Sequence, residues 1–255
     1  MRLRPTLCSL ALLPWLAACH SGEPKAAASS PAAGKAAGQP APPLPLRIDE
    51  PQLYAGSDWV LYPLSLPKDT RENKGLFGSS YERTYQPARY WQVLFYNART
   101  GQVRQLVQGR KLLIHSISDP HDEHGNPLAF DYAPGPYTSA NLLLYSAATT
   151  DFNRDGRLDG DDPAYLFVST KAGEHFRQVS PDSLHVSHWR FQPTTGRLLL
   201  TAVPDRNHDR NFTDADETVP YVVDLATAQP AAPALPATFT RALQQQQAGQ
   251  YPPQP

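Results

Sequence analysis

Leu142-Leu143-Leu144-Tyr145, then Asp151-Phe152-Asn153-Arg154-Asp155-Gly156-Arg157-Leu158-Asp159-Gly160-Asp161-Asp162, then Tyr165-Leu166-Phe167-Val168: this stretch decides how the chain is read. Two short apolar runs of strand length enclose a polar loop, with no room for an amphipathic helix on either side. Inside the loop, oxygen-bearing side chains fall at positions 1, 3, 5, 9 and 12, with Gly156 at 6 and Leu158 at 8. That spacing lets a twelve-residue loop wrap a hard cation such as Ca²⁺ in oxygen ligands. A second, degenerate copy runs from Asp205 to Asp216, 54 residues on, and it too lies between strand-like runs.

Working outward, the same arrangement recurs. Leu198-Leu199-Leu200 precedes the second acidic loop and Tyr221-Val222-Val223-Asp224 follows it. An earlier unit runs Trp59-Val60-Leu61-Tyr62, a polar loop without the carboxylate spacing (Lys68 to Arg89), Val93-Leu94-Phe95-Tyr96, Gly101 and Val103-Arg104-Gln105-Leu106. Strands are expected at Trp59–Leu66, Tyr90–Asn97, Val103–Gln108, Lys111–Ser118, Asn141–Ala148, Ala164–Ser169, His175–Val179, Leu184–Phe191, Arg197–Val203 and Pro220–Asp224. Tight turns are marked by Arg99-Thr100-Gly101, Lys171-Ala172-Gly173 and Thr194-Thr195-Gly196. A repeat of this length suits architectures that build one sheet per repeat. Tyr165-Leu166-Phe167 with Gly173, and Trp91 to Phe95 with Gly101, resemble the blades of TolB-like β-propellers. The expected fold is therefore all-β and antiparallel: incomplete propeller-like repeats, about three sheet units, with acidic calcium-type loops. Closed propellers take typically 4–8 blades, so either a second copy completes the array, making a homo-oligomer, or the sheets pack as an open β-sandwich.

The first acidic loop resembles the EF-hand loop, especially the dockerin kind that ends in Asp. The resemblance implies side-chain ligands from Asp151, Asn153 and Asp155 and a backbone carbonyl from Arg157. Asp159 would act directly or through water, and Asp162 would close the shell. Gly156 supplies the sharp bend, and Leu158 turns inward. The loop's five carboxylates repel one another by about 1–4 kcal/mol per close pair, depending on dielectric; a divalent ion relieves that strain. In the second loop the corresponding residues are Asp205, Asn207, Asp209, Asn211, Thr213 and Asp216. Arg210 stands there in place of the glycine, at ~1–2 kcal/mol for a left-handed bend, so weaker binding is expected. Strand flanks, with Pro163 directly after the first loop, argue for a fixed structural site rather than a helix-opening sensor.

The ends read differently. Residues 1–18 carry Arg2 and Arg4 and then an apolar run, a secretory pattern too short for a membrane span. The ending Leu16-Ala17-Ala18-Cys19 resembles the lipobox of bacterial lipoproteins, which implies lipidation of Cys19 and anchoring to a membrane. His20 rather than Asp after the cysteine resembles outer-membrane sorting. Residues 19–45, rich in Ala, Pro, Gly and Ser, read as a flexible tether reaching roughly 30 Å. The all-β domain spans 46–228, with its two loops at 151–162 and 205–216. Residues 229–255 read as a disordered Pro/Gln-rich tail containing one helical turn near Thr240 to Gln247.

Charge and cysteine content narrow the function. The formal net charge is −1, and without Arg2 and Arg4 the 23 basic residues become 21 against 24 acidic. No basic cluster interleaved with aromatics occurs, which disfavours nucleic acid. Cys8 leaves with the signal and Cys19 carries lipid, so no disulfide framework remains. No nucleophile elbow, phosphate-cradling loop or dinucleotide fingerprint is present. His121-Asp122-Glu123-His124 could hold a borderline metal, but no helix sets the two histidines on one face. His185 and His188, three apart on a strand, should point to opposite faces. Tyr81, Tyr85, Tyr90, Trp91, Tyr132 and Tyr137 suit core packing first and a glycan or peptide surface second. The expectation is a non-catalytic, calcium-binding envelope lipoprotein. The alternatives are a glycan-, peptide- or protein-binding module and, behind it, a metal-assisted hydrolase.

Overall fold

The computed structural model describes residues 45–66, 89–120, 136–137, 141–213, 216–227 and 231–251. Its architecture is antiparallel β, built as three successive four-stranded meanders. The first comprises β1 (Gln52–Leu53), β2 (Trp59–Ser65), β3 (Tyr90–Asn97) and β4 (Val103–Gln105). The second comprises β5 (Leu113–Ser118), β6 (Leu143–Ala148), β7 (Tyr165–Ser169) and β8 (Arg177–Gln178). The third comprises β9 (Leu184–Gln192), β10 (Arg197–Pro204), β11 (Val219–Asp224) and β12 (Ala232–Pro233), followed by helix α1 (Ala237–Gln250). Each strand pairs with the next within its meander. Tyr90 opposite Ile114 joins the first two into one eight-stranded sheet, and the third forms its own four-stranded sheet. The third strand of the second meander is likewise met by the first strand of the next, where Val186 N donates to Ala164 O at 2.8 Å.

Alternation along the strands explains the layering. In β6, Leu143 and Tyr145 point to a core shared with Leu61, Val93 and Phe95 of the first meander. The intervening Leu144, with Leu166 and Val168 of β7, packs on Leu198, Leu200 and Val223 of the third. The central unit is therefore buried on both faces, and this is why its strands read as unbroken apolar runs. The outer units read as alternating; β10 buries Leu198 and Leu200 while Leu199 faces water. Each fully buried Leu, Val or Phe contributes roughly 1.5–3 kcal/mol before the entropy of ordering is counted.

The second meander is keyed to the first by its β7–β8 turn. Lys171, 3% exposed, donates from Nζ to Ala55 O at 2.8 Å and stands 3.8 Å from Asp119. Burial pulls its amine below the usual lysine range, against the opposing pull of Asp119. Arg104 Nη1 donates to Ala172 O and pairs with Glu174. Gly173 packs on the Phe95 ring, where a Cβ would lie 2.6 Å from Cε2. A related reach recurs one unit later: Arg177 Nη2 donates to Leu225 O and Thr227 O, both at 3.4 Å. Strand-four arginines thus tie each meander to the turn of the following one.

All ten expected strand regions hold strands, and Gly101, Gly173 and Gly196 close their turns at positive φ. The far end differs from expectation. Residues 231–251, read as part of a disordered tail with one helical turn near Thr240 to Gln247, contribute β12 to the sheet edge and the 14-residue α1, which contains that turn. β12 is held by backbone pairing of Val222 with Ala232 and Tyr221 with Pro233, which leaves no side-chain pattern to read. The Ala-, Leu-, Arg- and Gln-rich segment after Pro236 has good helix propensity. No helix among the described residues is long and apolar enough to cross a membrane.

Candidate metal centre

The two acidic loops occupy equivalent places, each between the second and third strands of its meander. They also fold alike. In the first, Asp151 Oδ2 accepts from Gly156 N at 2.9 Å, Asn153 Oδ1 from Asp155 N at 3.0 Å, and Asp155 Oδ1 from Arg157 N at 2.8 Å. In the second, Asp205 Oδ2 accepts from Arg210 N at 3.3 Å, Asn207 Oδ1 from Asp209 N at 3.1 Å, and Asp209 Oδ1 from Asn211 N at 2.8 Å. Position 9 donates to position 12 in both: Asp159 N to Asp162 Oδ2 at 3.0 Å, and Thr213 N to Asp216 Oδ2 at 2.9 Å. These are the side-chain-to-backbone bonds by which Asx residues bend a chain. Positive φ falls at positions 4 and 6 of each loop: Arg154 and Gly156, His208 and Arg210.

Arg210 therefore adopts the left-handed conformation anticipated for it, at φ 63°. Asp162 is buried, and its Oδ1 also accepts from Phe152 N at 2.7 Å, which draws the loop's two ends together. Asp159 Oδ1 accepts from Asp161 N at 3.0 Å, and Thr213 Oγ1 lies 3.3 Å from Asp216 Oδ2. Arg157 and Asn211 hold the positions where a ligand would be a backbone carbonyl. Among the described residues, no three His, Cys, Asp or Glu side chains converge on one point as a preformed metal cluster; the carboxylates turn instead toward their own loop's N–H groups. Among the described residues, one buried side-chain oxygen has no such partner. Asp205 Oδ1, at position 1 of the second loop, is buried and accepts no hydrogen bond, which leaves a desolvated anionic oxygen uncompensated. An all-oxygen donor set with one buried, unpaired carboxylate oxygen fits a hard divalent cation.

One ring contact not evident in the sequence joins the loops, and a second ties the later loop to β9. The rings of Phe152 and Phe212 lie 5.4 Å apart, and His185 lies 5.7 Å from Phe212. His185 Nδ1 accepts from Ala164 N at 3.2 Å, and burial pushes its pKa below the ordinary histidine value. The expectation that His185 and His188 face opposite ways fails. A bulge at Ser187 sets His188 opposite Thr201 and His185 opposite Val203, which puts both on one side of the sheet. Leu158 lines a pocket of about 570 Å³ with Leu66, Trp91, Leu112, Arg110 and Lys111. Of the aromatics considered for a binding surface, Tyr90 and Tyr137 are core and Trp91 is exposed. Tyr81, Tyr85, Tyr132, the His121 to His124 loop and Cys19 lie outside the described residues. The chain matches no known family model and no curated protein.

Proposed function

We propose that this chain is a non-catalytic, calcium-binding lipoprotein of the bacterial envelope, anchored through Cys19 and sorted to the outer membrane. In this reading the acidic loops brace an incomplete, propeller-like array of three blades. The observation that carries it is the matched folding of two loops 54 residues apart, one of which buries an unpaired Asp205 Oδ1. Asp151, Asn153, Asp155, Asp159 and Asp162 would hold Ca²⁺ in the first loop, with the Arg157 carbonyl. Asp205, Asn207, Asp209, Thr213 and Asp216 would hold it in the second, with the Asn211 carbonyl. Bound Ca²⁺ would supply positive charge to neutralise the clustered carboxylates. The residues themselves set the loop's shape through the Asx bonds, and Phe152 and Phe212 transmit order between neighbouring blades. Equilibrium dialysis should find two Ca²⁺ per chain, and one after Asp151→Ala with Asp155→Ala. No retained Ca²⁺ at millimolar free ion refutes the reading.

A second reading, a glycan-, peptide- or protein-binding module, is favoured by the Trp91–Leu112–Leu158 pocket. It expects a ligand whose capture on a glycan or peptide array is lost on Trp91→Ala. Undiminished capture by that variant counts against it.

A further inference from the structure

Two walls of the Trp91–Leu112–Leu158 pocket are fixed by the backbone around them. Where β3 meets β2 the register slips: Leu64 pairs with Gln92 and Ser65 with Tyr90, so Trp91 is the extra residue of a β-bulge. Bulges re-aim side chains. This one presents Trp91, 41% exposed, to the pocket while its neighbours Tyr90 and Gln92 stay buried. The facing wall, the β4–β5 connection, is pinned at the same place. Gln92 donates from Nε2 to Val107 O at 2.7 Å, and its Oε1 accepts from Val93 N at 3.0 Å and Val107 N at 3.3 Å. A buried amide bonded at both ends thus sets the distance between the walls before any ligand arrives.

The lining divides by chemistry. Leu66, Trp91, Leu112 and Leu158 supply apolar walls, and Arg110 and Lys111 stand exposed beside them. No Asp or Glu is among the described lining residues, and neither cation has an ion pair among the described residues. Arg110 is nevertheless placed, with its Cζ 5.7 Å from the centre of the buried Phe167 ring. The acidic loop that contributes Leu158 turns its carboxylates to its own N–H groups. A concavity of about 570 Å³ falls within the range of small-ligand sites. Two adjacent unpaired cations favour an anionic group at its edge, and the guanidinium fork matches a carboxylate. A sugar would set hydroxyls against the leucines without partners; one apolar chain with an anionic head matches both halves.

We propose that this pocket binds a single-chain anionic amphiphile of the fatty-acid class, its chain against Trp91 and the leucines and its carboxylate on Arg110 and Lys111. The proposal rests on the pocket of the second reading but names a ligand outside the glycan, peptide and protein classes, and it does not depend on Ca²⁺ in the loops. Calorimetric titration of the full chain with decanoate, in chelator and again at millimolar Ca²⁺, should show one site per chain. Decanol, with the same chain and no charge, and decyltrimethylammonium, with the opposite charge, should bind at least about tenfold more weakly. Arg110→Gln with Lys111→Gln should weaken decanoate about tenfold and leave decanol unchanged, a split that misfolding does not produce. Trp91→Ala should weaken both. All three positions are exposed, so none of these changes opens the core. No decanoate binding in either condition, decanol binding as tight as decanoate's, or a double variant that binds decanoate as tightly as the unmodified chain would overturn the proposal. Glycan or peptide capture lost on Trp91→Ala, without decanoate binding, would overturn it and leave the second reading standing. Decanoate binding without array capture supports the proposal and removes that reading.

Discussion

Replacing Gly173 by Ala tests the claim that the β7–β8 turn is the key between the first two meanders. The backbone there has φ 74°, and an added Cβ would sit 2.6 Å and 2.8 Å from Cε2 and Cδ2 of Phe95, a ring with no exposure. The left-handed conformation alone costs ~1–2 kcal/mol for a residue with Cβ, and overpacking a filled core adds ~1–3 kcal/mol. Retreat of the turn is opposed on both sides, since Lys171 Nζ is bonded to Ala55 O and Arg104 is paired with Glu174. The loss should be about 2–5 kcal/mol, or ~4–20 °C in Tm for a domain of this size. Gly101 supplies the control: it has the same φ of 74° but open space around its Cβ position, so Gly101→Ala should show only the backbone part. Urea denaturation of both variants, with Phe95→Leu added to each, completes the measurement. Phe95→Leu should offset part of the Gly173→Ala loss and leave the Gly101→Ala loss unchanged. Equal losses for the two glycine variants, or no coupling to Phe95, would refute the keyed interface.

Two further predictions concern electrostatics and the second loop. Burial first, then the positive fields of Arg89 and His185, lower the pKa of His115 to about 4, against the pull of Asp159. Between pH 4 and 6.5 the unfolded chain therefore binds the extra proton, so stability rises with pH across that window, by about 3 kcal/mol from this group. His115→Gln should flatten that limb in acid denaturation followed with chelator present; an unchanged slope contradicts the buried neutral imidazole. At Arg210, φ 63° is a conformation glycine adopts at no steric cost. Arg210→Gly should stabilise the second loop by ~1–2 kcal/mol and tighten its Ca²⁺ affinity by about tenfold, read by calorimetric titration of an Asp151→Ala, Asp155→Ala background. Weaker binding there would contradict the equivalence of the loops.

What could be read from the sequence, and what could not, divides along physical lines. The runs Leu142–Tyr145 and Tyr165–Val168 announced strands because side-chain burial writes directly into composition, while their burial on both faces emerged only from the packing of the neighbouring meanders. Loop spacing was equally legible, since a bend needing φ > 0 at position 6 selects glycine in the first copy and makes Arg210 conspicuous in the second. β1 and β12, two residues each, escaped notice because only backbone pairing defines them. Lys171 reads as an ordinary turn lysine; its burial depends on Ala55, 116 residues away. The bulge at Ser187, which turns His185 and His188 to one face, is set by register against β10 and leaves no local mark. Helix α1 was legible only as one helical turn near Thr240 to Gln247; none of its 14 residues is buried, so no core-facing stripe marks its full length.

The central claim, that the acidic loops brace the fold by holding Ca²⁺, is tested most directly by the melting temperature of the domain as free Ca²⁺ is raised from chelator to millimolar. At a hundredfold excess over Kd, one site should add ~2.7 kcal/mol, or about 5–10 °C for a domain of this size. Asp151→Ala with Asp155→Ala should remove the first loop's share of that shift. A melting temperature that does not move with Ca²⁺, or moves as far in the variant as in the unmodified chain, would contradict it.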